Sequence, residues 1–248
     1  MKVWKTKRGH TVCQVSSRRS NAYFVSAGSL KILVDTGSRR KRDEMYLRID
    51  RLRPTDEKID FLILTHTHFD HCQNAAEIKS REKCLIIVGE AEKAFTETGY
   101  TPIPKGTNMI TGPLSLMGKR LLSRRHFSYA PFSSDIQVTG DYDLKDNLKI
   151  KVMTTPGHSA GSLSVLVDNE IALVGDTLFG IFRHKVLPSF ADDIPEMIRS
   201  WNKLMHSGCK VFLPGHGRAV DRELLEKEFA RYARKYGMFQ KGVDESMR

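Results

Sequence analysis

No two of the four cysteines (Cys13, Cys72, Cys84 and Cys209) are close enough to form a CxxC pair. That spacing offers neither a zinc knuckle nor a thiol redox motif, and free thiols are the expectation. No run approaches the roughly 20 apolar residues that cross a bilayer. The start, "MKVWKTKRGHTV", has basic residues but no apolar stretch of the kind a secretory signal needs. A cytoplasmic protein without a membrane span is therefore expected. Acidic residues are in deficit, 29 against 40 Lys and Arg, which leaves a net charge of +11. Much of the excess is local, in "SRRKR" (38–42) and "KRLLSRRH" (119–126). Such charge is expected first as a solvated surface. It also favours an anionic small-molecule substrate and keeps nucleic acid open as a secondary partner.

A chain of 248 residues can bury a sizeable core. "AYFV" and "LKILVD", separated by "SAGS", predict a hairpin. A helix is expected from about Asp43 to Leu52, ending before Pro54. "KIDFLILT" and "CLIIVG" are apolar throughout and too short for helices, so they predict buried strands. "NAAEIKSR" between them reads as a helix, which makes a βαβ unit. Residues 99–134 are rich in Gly and Pro, lack a clean period, and carry Tyr100, Phe127, Tyr129 and Phe132. Loops of that length are often functional, and a lid-like insertion in a single 1–248 domain is expected. Four more strand-like runs follow, then two helical stripes. The first carries Ile194, Met197, Ile198, Trp201, Leu204 and Met205; the second carries Leu225, Phe229, Tyr232 and Tyr236.

Histidine is scarce too, with nine in the chain, yet three fall in "THTHFDH" (65–71) beside an aspartate. The cluster follows the apolar run "FLIL", at the edge of an α/β sheet where ligand sites gather. Three later strand-like runs end the same way. "TTPGHSAGS" delivers His158, "ALVGDTLF" delivers Asp176, and "FLPGHG" delivers His216. The donors His66, His68, Asp70, His71, His158, Asp176 and His216 exceed the four protein ligands of a closed structural zinc site. They fit two divalent metal ions sharing a carboxylate, with zinc first and manganese or iron as alternatives. In an extended loop, residues two apart point the same way, so His66 and His68 can converge on one ion. Asp70 and His71, where a helix begins, can reach the other.

These segments together resemble the metallo-β-lactamase superfamily, and among its branches the glyoxalase II-type hydrolases. The resemblance runs from "VDTG" to "PGHG" and implies a four-layer αββα sandwich. It implies His66, His68 and His158 on one metal, Asp70, His71 and His216 on the other, and Asp176 as the bridge. Asp35 of "VDTG" would support a ligand from behind. It implies a dinuclear hydrolase of a small ester, thioester or lactone, with a metal-bridging hydroxide as nucleophile and Asp70 also carrying a proton. Other chemistries on the same scaffold are a mononuclear iron oxygenase of the persulfide dioxygenase type and a nuclease or phosphodiesterase. A monomer or homodimer is expected.

The sequence also departs from particular branches. "GDTLF" runs into "GIFRHKVLPSF", where glyoxalase II enzymes carry Gly-Cys-Gly-Arg, so glutathione thioesters are not the expected substrate. Phe179 stands where related lactonases often have a tyrosine. Phe179 and Arg183 are expected to face the substrate; His184, which no strand end delivers, is expected first as a surface or hydrogen-bonding histidine. His10, His126 and His206 are expected to take no part.

Overall fold

Neighbouring residues on the central strands are buried against different partners. Ile32 packs into one core cluster and the adjacent Leu33 into another, and both are fully buried. Leu62 and Ile63 divide the same way, as do Ile86 and Ile87. Successive side chains point to opposite faces of a strand, so a sheet covered on both faces reads as an unbroken apolar run. That is why "FLIL" and "CLIIVG" show no alternation.

The computed structural model describes residues 1–53, 57–113, 117, 124–145 and 148–238. One sheet has seven strands in sequential order: β1 (Val3–Lys5), β2 (Thr11–Ser16), β3 (Ala22–Ala27), β4 (Leu30–Val34), β5 (Phe61–Ile63), β6 (Leu85–Gly89) and β7 (Ile136–Val138). Its first four strands are antiparallel neighbours, and β4 to β7 run parallel. The other sheet has six strands: β8 (Tyr142–Lys145), β9 (Ile150–Thr154), β10 (Leu163–Val167), β11 (Ile171–Gly180), β12 (Val211–Gly217) and β13 (Val220–Asp221). Here β11 and β12 are parallel and the other pairs antiparallel.

Three apolar clusters account for the layers. Between the sheets, Val25, Ile32 and Ile63 meet Val165, Leu173 and Leu213. On the outer face of the first sheet, Phe24 and Leu62 pack with helices α1 (Arg42–Asp50) and α3 (Ala75–Glu82) through Met45, Ile49 and Ile78. The short helix α2 (Phe69–Cys72) precedes α3, and α4 (Lys93–Thr98) follows β6. On the outer face of the second sheet, Leu166, Val174 and Phe212 pack with α5 (Ile194–His206) and α6 (Arg222–Lys235) through Trp201, Leu204 and Leu225. The architecture is thus a four-layer αββα sandwich, as the resemblance implied. Both long helices start on aspartate caps, each accepting a backbone N–H at 2.8 Å: Asp193 from Glu196 and Asp221 from Leu224. Such a cap contributes about 1 kcal/mol.

Several expectations need adjustment. Tyr236 lies beyond the end of α6 and is exposed, so the stripe ends at Tyr232. Tyr129 and Phe132, read within a loop-like insertion, belong to the outer core of the first sheet. Asp176 and His216 were expected just past their strands. Both lie inside them, because β11 continues to Gly180 through irregular pairing around Gly175, whose φ is +50°. Pro54, residues 114–116 and 118–123 of the insertion, and most of the basic run 119–126 lie outside the described residues. Among the described residues, no helix is long and apolar enough to cross a membrane, and all four cysteines are free and buried.

Candidate metal centre

The seven predicted donors arrive from four separate stretches of the chain, and the sandwich brings them together at one edge. His66 and His68 follow β5; Asp70 and His71 lie on α2; His158 follows β9; Asp176 is in β11 and His216 in β12. Three overlapping groups form: His66, His68 and His158; His66, His71 and Asp176; Asp70, His71 and His216. Within each group the donor atoms lie within 4.8 Å of one another. Asp176 occupies the middle. Its Oδ2 is 3.6 Å from His158 Nε2 and 3.3 Å from His216 Nε2, and its Oδ1 is 3.4 Å from His71 Nε2.

Hydrogen bonding behind the cluster decides which nitrogen faces inward. The Pro102 carbonyl can only accept, so His68 Nε2 donates to it at 3.1 Å and leaves Nδ1 as a bare lone pair. His158 Nδ1 donates to the Phe190 carbonyl at 2.8 Å, which leaves Nε2 bare. These two lone pairs face each other across 2.9 Å. Thr65 Oγ1 donates to Asp35 Oδ2 at 2.8 Å, so it accepts from His66 Nδ1 at 3.1 Å. His66 Nε2 is then buried with no hydrogen-bond partner, and so is Asp176 Oδ1. His71 Nδ1 donates to Asp35 Oδ2 at 2.9 Å. Unpaired buried acceptors are costly, and opposed lone pairs repel; a cation among them removes both penalties. The donor set therefore fits bound divalent metal, and imidazole with carboxylate suits zinc, manganese or iron.

Protonation follows the same geometry. Burial, ahead of any neighbour, lowers His68 and His158 to about 4. Burial also drives His66 well below its ordinary value, helped by the surrounding histidines. Burial opposes charge on His71, but Asp176 and Asp35 outweigh it and raise His71 to about 10. His216 is raised by Asp176 against the same burial cost. Burial likewise opposes charge on Asp176, yet His216 and His71 hold its carboxyl well below the usual range.

Some supporting residues were not anticipated. Glu92 is 1% exposed, and all its partners are donors. Its Oε2 accepts from the Thr67 amide at 3.1 Å and from the Thr67 hydroxyl, and its Oε1 accepts from Ser159 Oγ at 2.7 Å and Gly161 N at 3.3 Å. It joins the loop of His66 and His68 to the loop of His158. Asn21 does the same on the opposite side, with its amide nitrogen donating to Gly215 O at 2.7 Å and Nδ2 to Pro214 O at 2.9 Å. Neither residue has a sequence signal, since each looks like an ordinary polar residue at an element boundary.

The cluster opens into a cleft of about 510 Å³ walled by Phe69, Ile103, Phe127, Phe179 and Phe190. Only Asp70 and His216 among the donors have notable exposure, 15% and 16%, so these two look furthest into it. Phe179 faces the cleft as expected, its ring 4.9 Å from that of His216. Arg183 and His184 do not. They are exposed and line a separate groove with Arg218, although Ile181, just after β11, still lines the cleft. Cys72 is turned away, its thiol donating to the Thr67 carbonyl at 3.2 Å. His206 pairs with the Asn202 carbonyl and His10 with Asp168, outside the cluster.

A metal-type site at the edge of an αββα sandwich defines the class, and comparison with known proteins gives the family. The Metallo-beta-lactamase superfamily profile matches residues 16–216, and the chain belongs to that superfamily. It is 24% identical over 225 residues to an atrochrysone carboxyl ACP thioesterase of Aspergillus fumigatus, covering 90% of this chain and 59% of that one. It is also 24% identical to a beta-lactamase-like protein 2 homolog of Caenorhabditis elegans, covering 88% of this chain and 62% of that one. The chain thus spans about three-fifths of the length of these relatives. Among solved structures, the fold is shared with the archaeal superfamily protein ST1585 from Sulfolobus tokodaii (TM-score 0.61, 20% identity, 96% and 91% covered). It is also shared with BJP-1, a subclass B3 metallo-beta-lactamase of Bradyrhizobium japonicum (TM-score 0.62, 17% identity, 92% and 89% covered).

Proposed function

We propose that this chain is a hydrolase of small esters or thioesters that works with two divalent cations, zinc first. His66, His68 and His158 would hold one ion and Asp70, His71 and His216 the other, with Asp176 shared. The observation that carries this reading is the pair of bare lone pairs on His68 and His158, 2.9 Å apart beside an unpartnered His66 nitrogen. Bound ions would supply Lewis acidity and lower the pKa of water toward 7.

The protein's own residues do the rest. Asp35 and Thr65 orient His71 and His66 from behind, which sets which nitrogen is presented. The aromatic walls exclude bulk water and strengthen the electrostatics of the centre. Asp70 lines the cleft, so its carboxylate is positioned to carry a proton to the departing oxygen or sulfur. The described part of the 99–134 insertion would act as a covering segment: Thr101, Ile103, Pro104 and Phe127 line the cleft, and Thr107 N donates to Ser189 O at 3.0 Å, tying the insertion to another lining segment.

The thioesterase relative favours a carbonyl substrate. "THTHFDH" and "GDTLF" support a kinship with the glyoxalase II-type branch, under a different substrate pocket. A cytoplasmic location and a monomer or homodimer belong to the same proposal. The test is metal content together with turnover. Protein loaded with zinc is expected to hold about two ions per chain and to hydrolyse members of an ester, thioester and lactone panel. One iron per chain with oxygen uptake, or turnover of phosphodiesters alone, would overturn it.

A further inference from the structure

Arg19 is the only Lys or Arg among the described residues that line the cleft. Its guanidinium carbon sits 4.8 Å from the centroid of Phe69, and Phe69 in turn meets Phe127 edge to face at 5.3 Å. Among the described residues no carboxylate pairs with Arg19. A guanidinium stacked on a ring keeps its N–H edge free, and that edge matches a planar carboxylate.

The loop that carries Arg19 is fastened to the metal centre by the two residues that follow it. Ser20 Oγ donates to the Asp70 carbonyl. Asn21 Nδ2 donates to Pro214 O at 2.9 Å and Gly217 O at 3.0 Å, on either side of His216. Before it, Arg18 takes a left-handed φ of +88°, a conformation non-glycine residues adopt only where the surroundings impose it. The loop thus delivers a guanidinium to the mouth of a cleft whose walls beyond the donor cluster are largely apolar, against the same two segments that bear Asp70 and His216. The four phenylalanines Phe69, Phe127, Phe179 and Phe190 form walls suited to a ring or a bulky aliphatic group. The volume, about 510 Å³, is that of a pocket for one small molecule.

We propose that the substrate is an ester or thioester with an apolar, ring-sized body and a separate carboxylate. The body seats among the four phenylalanines, and Arg19 receives the carboxylate. This inference rests on the hydrolase reading for its scissile group, but its recognition element is independent of turnover.

The test uses two matched pairs on the metal-loaded protein. One pair is not hydrolysable: 6-(phenylthio)hexanoate and its neutral methyl ketone counterpart, 7-(phenylthio)heptan-2-one. The other is hydrolysable: the S-phenyl monothioester of adipic acid and the same compound with the free carboxylate replaced by a methyl ketone. Wild type is expected to bind the free carboxylate of the first pair about tenfold tighter than the ketone. Arg19→Met is expected to erase that ratio. Arg19→Glu is expected to shift preference toward the corresponding amine, 6-(phenylthio)hexylamine, a gain that misfolding does not produce. No preference in wild type, or a preference that survives in Arg19→Met because the carboxylate sits on the metals, would overturn the inference. The thioester pair reports separately: binding selectivity without turnover leaves Arg19 supported and removes the hydrolase reading.

Discussion

The Ser159 hydroxyl donates to Glu92 Oε1 across 2.7 Å, linking a loop after β9 to a carboxylate carried by the other sheet. The other oxygen of Glu92 holds Thr67, between His66 and His68. Glu92→Gln would set an amide donor against a site made wholly of donors. It is expected to weaken metal binding about 10- to 100-fold, read by competition with a chromophoric chelator. Ser159→Ala removes one of the four bonds and is expected to cost less. An unchanged affinity in Glu92→Gln would refute the linkage.

Asp176→Ala removes the carboxylate at the centre of the cluster. Turnover is expected to fall by at least about 100-fold, with metal content reduced and the circular dichroism spectrum retained. A variant that lost only thermal stability would instead mark the site as a structural element.

Metal binding is expected to release protons at pH 7. In the metal-free protein, Asp176 and Asp35 outweigh burial and raise His71 to about 10, so it holds its proton there; Asp176 raises His216 as well. Metal ligation requires neutral imidazole, and the His71 proton must leave. His68 and His158, lowered to about 4, are already neutral and release none. Apparent affinity therefore rises with pH from neutrality toward about 10. Calorimetric titration in two buffers of different ionisation enthalpy measures the release; identical heats would contradict it.

Gly215→Ala tests how closely the backbone approaches the centre. A Cβ there would meet Asp176 Oδ1 at 2.3 Å and His71 Cε1 at 2.5 Å. Either donor must then move, so metal affinity and turnover are expected to fall well before global stability does. Equal loss of both would point to a general packing defect.

Far from the site, Arg53 grips Glu82 with both terminal nitrogens, at 2.6 and 2.9 Å, and the Ile59 amide adds a third bond. Burial opposes charge on Glu82, but these partners outweigh it and hold its carboxyl below the ordinary value. A depressed folded pKa stabilises above the unfolded value of about 4.3, and that stability is lost as pH falls through the folded value. Glu82→Ala is expected to cost about 3 kcal/mol at pH 7. The difference from wild type should shrink below about pH 4 in urea unfolding.

The donor residues were legible because their chemistry is conspicuous. Histidine and aspartate at the ends of apolar runs have few structural uses, and four such runs point to one ligand set. Asp35 was readable only through the family motif. Glu92 was not readable, because "GEAEK" looks like a solvated helix start; its burial comes from two sheets meeting around it. Arg19 was hidden in an exposed basic stretch. Arg183 misled because closeness along the chain to the cleft is not closeness in space: Ile181 lines the cleft and Arg183, two residues on, lines a separate groove.

By itself, the sequence determined which strands are buried on both faces and which seven side chains are candidate donors; the four-layer sandwich was what the family resemblance implied. Apolar runs without alternation require sheets buried on both faces, and residue type alone restricts which side chains can bind metal. Only the tertiary structure decided which imidazole nitrogen faces the centre and which carboxylate braces the loops. It also decided that one arginine stands at the mouth of an aromatic cleft. Those outcomes depend on contacts between segments up to about 195 residues apart, such as Asn21 with Pro214 and Gly217, which no local pattern encodes.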